Sequence, residues 1–99
     1  EKRGSLNIDE TSLSIYPNPF NSTTNITFAL DQEQQVSIGI YSMNGELVET
    51  LQNGLLPEGG HRILWNGKNQ FGQEAPIGIY ILRLISGNSV LQKTIVKTE

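Results

Sequence analysis

The sequence predicts an all-β fold, a seven-stranded antiparallel immunoglobulin-like β-sandwich. Short segments in which apolar and polar residues alternate recur along the chain, as in strands with one buried face. Clusters of Gly, Asn and Pro separate these segments and predict turns. No segment has a helical periodicity long enough to compete. At 99 residues the chain has the size of one small domain with a modest core.

Four strands are predicted before residue 52. The first, residues 13–16, ends at a Pro-Asn-Pro sequence, because proline cannot donate a ladder hydrogen bond. Alternation continues in residues 25–30 and 36–41, and it assigns to the inward faces Ile26, Phe28 and Leu30, and Val36, Ile38 and Ile40. Asn44-Gly45 then predicts a type I′ hairpin that leads into a strand over residues 46–51.

Three more strands follow a predicted loop through residues 53–60. Residues 61–65 carry the only Trp and end at Asn66-Gly67. Residues 79–85 are the longest apolar run, which predicts a central strand buried on both faces. Gly87-Asn88 predicts a type I′ or II′ turn before the last strand, residues 89–97. The polar residues 1–12 are interpreted as a linker or disordered lead-in, which leaves 13–99 as the folded domain.

Composition excludes several classes of function. The chain has no cysteine, so it forms no disulfide, thiolate metal site or cysteine nucleophile. The net charge is −3 and the basic residues are scattered, so nucleic acid is not an expected partner. No apolar stretch approaches the roughly 20 residues of a membrane span, and the N-terminus lacks a signal-peptide pattern. Residues 1–5 look like an internal cut, so we expect a longer parent protein.

The residues offer little catalytic chemistry. His61 is the only histidine, which excludes a two-histidine metal site and favours a partly buried structural or edge histidine over a catalytic base. The carboxylates fall mainly in the lead-in and the turns, without the facing pair that glycoside hydrolysis requires. We therefore expect no enzyme activity, no catalytic residue and no cofactor.

Two binding features have competing interpretations. The loop of residues 66–74 is rich in Asn and Gln but contains one carboxylate; Asn side chains bonded to their own backbone are favoured over a weak calcium site, which stays open. Phe28, Trp65 and Tyr80 are assigned to the core. Tyr16, Tyr41 and Phe71 are the candidates for an exposed sugar-binding platform, although they lie on separate segments.

Motifs in four parts of the chain together resemble a known family. They are Tyr16-Pro17-Asn18-Pro19-Phe20-Asn21, residues 40–48 with Asn44-Gly45, Trp65-Asn66-Gly67 with Gly78 and Tyr80, and a closing strand with Lys93 and Lys97. In this order they resemble the C-terminal sorting domain of the type IX (Por) secretion system of Bacteroidetes. The pattern is also similar to the immunoglobulin-like domain of the flagellar hook-capping protein.

The resemblance implies a non-catalytic domain that directs a larger secreted protein across the outer membrane to the cell surface. Its implied partners are the outer-membrane translocation machinery, surface-attachment proteins and an upstream cargo domain of the same chain. The family's signal lies in the final strand, which here is Lys93, Thr94, Ile95, Val96 and Lys97. The two lysines have a second interpretation as guards of an edge strand against aggregation.

Two other functions remain open at this stage. One is a carbohydrate-binding or stabilising accessory module of a polysaccharide-degrading enzyme, because such modules share the sandwich architecture. The other is a structural subunit domain like that of the hook cap. The domain upstream of Glu1 would discriminate the hook-cap class from sorting, since an enzyme or adhesin there favours sorting and a flagellar segment does not.

Overall fold

The computed structural model describes residues 12–99 and forms two packed antiparallel sheets. The strands are β1 (Ser14–Tyr16), β2 (Thr24–Leu30), β3 (Gln34–Ser42), β4 (Leu47–Leu56), β5 (Gly59–Trp65), β6 (Gly78–Ser86) and β7 (Ser89–Lys97). One sheet has the order β1-β2-β5 and the other β4-β3-β6-β7. The predicted seven-stranded immunoglobulin-like sandwich is confirmed. Apart from Ser12, the predicted lead-in lies outside the described residues.

The core lies between the sheets and follows the predicted alternation. The inward side chains of β2 and β3 are at most 3% exposed: Ile26, Phe28, Leu30, Val36, Ile38 and Ile40. They form one core cluster with the inward side chains of β6, because the period-two geometry of a strand places every second residue on the same face. Trp65 closes one end of this layer and is fully buried. Within residues 12–99, no helix has the length and apolarity needed to cross a bilayer.

β6 is buried on one face only. Its inward side chains are Tyr80, Leu82 and Leu84, with Ser86 at the strand end. On the outer face Ile79 and Ile85 are 49% and 37% exposed, so the prediction of burial on both faces is wrong. The outer apolar residues face cross-strand neighbours instead, since Ile79 is paired with Val96 and Ile85 with Val90.

β4 is longer than predicted. The predicted strand ended at residue 51, but β4 continues to Leu56 and β5 begins at Gly59. Gly54 stays in the strand because it is in register with Val36 of β3, and this pairing outweighs the low strand preference of glycine. The short connection through Pro57 and Glu58 carries the chain from an edge of one sheet to an edge of the other.

The two tight hairpins differ in turn type. At the β3–β4 turn, Ser42 N–H donates to the Glu46 carbonyl at 2.9 Å and Gly45 N–H donates to the Ser42 carbonyl at 3.0 Å. Gly45 has φ 91° while Asn44 does not have a positive φ, so the loop is a type I turn with a glycine bulge and the type I′ prediction is wrong. At the β6–β7 turn only Gly87 has a positive φ, as in the predicted type II′ alternative.

Candidate functional site

The sequence motifs meet at one end of the sandwich, around the last residues of β7. The Phe20 ring lies 5.3 Å from that of Trp65, measured between centroids, and Trp65 lies 5.3 Å from Tyr80 in an edge-on arrangement. These three residues form what we call the aromatic cluster. Aromatic pairs at such distances and tilts are attractive beyond their burial, so the cluster fixes this end of the fold.

The segment of residues 17–20 lies beside β7 and pairs with its outer edge. Asn18 Nδ2 donates to the Thr94 carbonyl at 2.8 Å, and Val96 N–H donates to Asn18 Oδ1 at 2.9 Å. Farther along, Phe20 N–H donates to the Val96 carbonyl at 2.9 Å and Thr98 N–H donates to the Phe20 carbonyl at 2.7 Å. The Asn18 amide therefore acts as a substitute for strand backbone, and the outer edge of β7 is paired from Thr94 onward.

The two prolines explain why a side chain takes this role. Neither Pro17 nor Pro19 has an N–H, so the segment cannot form a regular ladder by itself. Both the Tyr16–Pro17 and the Asn18–Pro19 peptide bonds are cis. The fully buried Thr24 of β2 donates its hydroxyl to the Pro17 carbonyl at 2.6 Å, which ties the segment to the opposite sheet.

Lys97 is a buried lysine that joins β7 to the loop between β5 and β6. Its side chain is 6% exposed, and Nζ donates to the Ala75 carbonyl at 2.9 Å and lies 3.7 Å from Glu74 Oε2. The stem crosses Gly67, where a Cβ would be 2.8 Å from Lys97 Cε. A buried ammonium needs such partners because the loss of its hydration without replacement costs far more than the burial of a neutral polar group.

The loop between β5 and β6 is organised by its asparagines. Asn69 Oδ1 accepts the N–H groups of Phe71 at 2.9 Å and Gln73 at 3.0 Å, and Asn66 Oδ1 accepts the N–H of Lys68 at 3.1 Å. The prediction that these side chains bond their own backbone is confirmed. Residues 12–99 contain no group of three or more His, Asp or Glu side chains placed to hold a metal ion.

Two side chains of the aromatic cluster also hold this loop. Trp65 Nε1 donates to the Lys68 carbonyl at 2.9 Å, and the Tyr80 hydroxyl donates to the Pro76 carbonyl. Burial raises the pKa of the Tyr80 hydroxyl above its ordinary value, because the interior disfavours the phenolate. The polar atoms of the aromatic cluster thus form hydrogen bonds with the same loop that binds the Lys97 ammonium.

The predicted signal residues lie in different environments. Ile95 and Lys97 are buried, whereas Lys93 is half-buried on the same inward face. Thr94 is exposed and Val96 half-buried on the outer face of the sheet. These five residues therefore do not form one exposed linear segment. The alternation of β7 already places Lys97 beside Ile95, but its partners Ala75 and Glu74 could not be found from spacing, since they lie in a distant loop.

A cleft of about 310 Å³ lies between this loop and the β3–β4 hairpin. Its apolar lining includes Leu47, Phe71 and Pro76. Its polar lining includes Ser42, Glu46 and Gln70. Gln70 N–H donates to the Val48 carbonyl at 2.8 Å and fixes the loop against β4. The fold thus places the exposed Phe71 beside carboxylate and amide groups.

The other candidate aromatics and the histidine lie elsewhere. Tyr16 belongs to the three-stranded sheet and Tyr41 to the four-stranded sheet, so they do not share a platform with one another. The Arg83 guanidinium lies 4.6 Å above the Tyr41 ring centroid. His61 is half-buried, stacks on Phe28 at 5.4 Å and donates from Nε2 to the Pro57 carbonyl at 2.7 Å, which is the arrangement of a structural histidine.

Residues 12–89 match the FlgD Ig-like domain family. The structure is also similar to a crystal structure of dimeric latent PorU from Porphyromonas gingivalis, with a TM-score of 0.72 and 16% identity over 87% of this chain. The similar region is 9% of the PorU chain, and at this identity it shows a shared fold. No curated protein has significant sequence similarity to the chain. Because the family match covers most of the chain, the protein belongs to the FlgD Ig-like domain family.

Proposed function

We propose that this domain is a non-catalytic sorting domain of a larger secreted protein. It is recognised by the outer-membrane translocation machinery of a type IX (Por) secretion system, and it directs its cargo to the cell surface. The observation that carries the proposal is the convergence of the sorting-domain motifs on β7, whose last residues contact Asn18, Phe20 and the loop that follows Trp65. The fold that this domain shares with PorU is consistent with the proposal.

The arrangement supports recognition of a folded strand rather than of a flexible tail. Residues of β7 are paired with β6 along the strand, and the last of them are also paired with residues 17–20. A receptor therefore meets side chains at fixed positions, of which Thr94 and Val96 face outward. Preorganisation of this kind lowers the ordering cost of binding. Most of β7 follows residue 89, where the family match ends, so the proposed signal lies beyond the matched region.

Export of a fusion protein tests the proposal. A reporter that folds in the periplasm is placed upstream of residues 1–99 in a host with a type IX system, and its surface and medium fractions are measured. We expect the intact domain to export the reporter and deletion of residues 89–99 to retain it in the periplasm. Periplasmic retention of the intact fusion, or equal export after the deletion, would contradict the proposal.

Point variants separate the signal from general surface charge. Lys93→Ala changes a half-buried lysine of β7, and Lys68→Ala is the matched control because Lys68 is an exposed lysine outside this strand. We expect lower export for Lys93→Ala and unchanged export for Lys68→Ala. Equal export of both variants would remove Lys93 from the signal.

The cleft favours a second candidate, a carbohydrate-binding accessory module. Sugars present apolar C–H faces and hydroxyl groups, which suit the exposed Phe71 ring beside Glu46 and Gln70. Affinity electrophoresis on common polysaccharides would show retardation of the intact domain and its loss in Phe71→Ala, with Tyr16→Ala as a control on the other sheet. The absence of retardation on every polysaccharide counts against this function.

A further inference from the structure

The outer edge of β7 is paired over its second half and follows a regular pattern that extends to its first half. The Thr94 carbonyl, both backbone groups of Val96 and the Thr98 N–H all point to residues 17–20. Successive residues of an antiparallel strand alternate in the direction of their backbone groups. The β6–β7 register is unbroken from Ser86 and Ser89 to Gly78 and Lys97, so the alternation holds throughout. The N–H and C=O of Val90 and Gln92 therefore also point away from β6, towards the open edge of the sheet.

Within residues 12–99, no strand covers this first half of the edge. β7 is the last strand of its sheet, and the segment of residues 17–20 begins its pairing at Thr94. Upstream of that segment the chain turns away, since β1 pairs with β2 in the other sheet. The edge from Val90 to the N–H of Thr94 thus presents a short row of backbone donors and acceptors.

The exposed side chains of this edge lack the usual guards against pairing. Val90 is 55% exposed, and Gln92 and Thr94 are exposed and uncharged. Natural edge strands are normally protected by a charged side chain, which can also point inward, or by a proline or a bulge. Residues 89–94 have one of these features, the half-buried Lys93 on the inward face, and their ladder contains no proline and no bulge.

The opposite edge of the same sheet shows the contrast. β4 has two register irregularities against β3, and the Val48 carbonyl accepts a hydrogen bond from the Gln70 N–H of the neighbouring loop. Bulges twist a strand away from a potential partner, and a covering loop occupies its backbone groups. Of the two edges of the four-stranded sheet, β7 is the one prepared to accept another strand.

We propose that residues 90–94 of β7 are a strand-addition site for the partner that exports the domain. This inference rests on the proposed sorting function and names the mode of recognition. An extended segment of the translocation machinery pairs with the outward groups of Val90 and Gln92 and with the N–H of Thr94. Residues 17–20 already pair in this manner with the rest of the edge, so the added strand ends where Asn18 begins. Backbone hydrogen bonds supply affinity in this mode, and pockets for the alternate side chains of the added strand supply specificity.

A proline variant tests the site, because proline removes one outward N–H and no ladder bond. Gln92→Pro deletes the donor at the centre of the site, whereas Gln92→Ala removes the same side chain and its contact with Arg83 but keeps the N–H. In the reporter fusion we expect Gln92→Pro to reduce export about tenfold and Gln92→Ala to export like the intact domain. Near-ultraviolet circular dichroism and thermal unfolding confirm that each variant is folded.

The outcomes separate the site from the function. Export of the intact fusion together with undiminished export of Gln92→Pro overturns the strand-addition site and leaves the sorting function in place. An equal loss in Gln92→Pro and Gln92→Ala overturns the site as well, since the side chain is then what the partner reads. Retention of the intact fusion overturns both proposals.

A second variant covers the case in which Gln92→Pro fails to fold. Val90→Lys retains every backbone group and places a charge on the edge, where an incoming strand would have to desolvate it. Leu55→Lys is its control, because Leu55 is an exposed apolar residue on the opposite edge of the same sheet. We expect reduced export for Val90→Lys alone. Equal export of the two lysine variants overturns the site.

Discussion

The two halves of β7 are held in different ways, although the signal that the resemblance implies, residues 93–97, extends into both. The second half is paired on both edges, and Lys97 is buried against the Ala75 carbonyl and Glu74. The first half is paired with β6, and Lys93 forms no ion pair with any residue between 12 and 99. The difference teaches that the second half of this short strand fixes the fold, while its first half presents an accessible edge. Variants of the second half should therefore act on stability, and variants of the first half on recognition.

The largest expected difference is between the two lysines. Lys97→Ala removes a buried stem and leaves the Ala75 carbonyl without its donor, so we expect the free energy of unfolding to fall by about 2–4 kcal/mol. Lys93→Ala changes a half-buried side chain and should cost less than about 0.5 kcal/mol. Urea denaturation followed by Trp65 fluorescence measures both. Similar losses in the two variants would remove the distinction between the halves.

A further variant separates the contribution of the apolar Lys97 stem to stability from that of its ammonium group. Lys97→Met keeps an apolar stem against Gly67 and removes the ammonium group. Glu74 is 60% exposed, so its carboxylate returns to water at little cost when the ion pair is lost. We therefore expect Lys97→Met to be more stable than Lys97→Ala. Equal stability of the two variants would show that the ammonium, and not the stem, dominates.

The next effect concerns the pairing of the edge. Asn18→Ala deletes a donor to the Thr94 carbonyl and the acceptor for the Val96 N–H, which should lower the free energy of unfolding by about 1–2 kcal/mol. Hydrogen exchange of the Val96 amide should accelerate in the same variant. Gln92→Ala is the control in the first half, and we expect a change within about 0.5 kcal/mol. Unchanged Val96 exchange in Asn18→Ala would refute the role assigned to the side-chain amide.

The smallest effect is a loss of stability in alkaline solution. The pKa of Tyr80 is raised by burial, so the unfolded chain ionises this hydroxyl first, from the ordinary pKa of 10.0. Stability is unaffected below that pH and declines as the pH rises from there through the folded-state pKa. Tyr80→Phe should flatten this decline although it also loses the bond to the Pro76 carbonyl. Denaturation curves between neutral and strongly alkaline pH in both proteins measure it; parallel curves would exclude Tyr80 as the source.

Local alternation in the sequence predicted most of the sheet faces. The inward positions of β2 and β3 are correct because the period of two is unambiguous where apolar residues face polar ones, as in Ile26, Thr27 and Phe28. It fails in β6, where the outer residues Ile79 and Ile85 are apolar as well. The pattern of a single strand cannot distinguish a covered face from an exposed one that carries apolar cross-strand pairs.

Features that depend on distant partners were beyond sequence reasoning. Gly54 reads as a loop residue, but its register with Val36 keeps it in β4. Lys97 reads as an edge guard, but a carbonyl 22 residues away makes its burial possible. The role of Asn18 also depends on a distant partner. The motif around Asn18 can be recognised in the sequence, but the strand with which it pairs cannot. The resemblance brought these motifs together, and the geometry supplied their contacts.

The two bonds between Asn18 and β7 join residues 76 and 78 positions apart. A chain emerges in order from a ribosome or a translocation pore, so residues 17–20 appear first and wait for nearly the whole domain before their partners follow. Closing so long a loop is entropically costly and makes folding slow. The native edge is thus the last part of the sandwich to be completed.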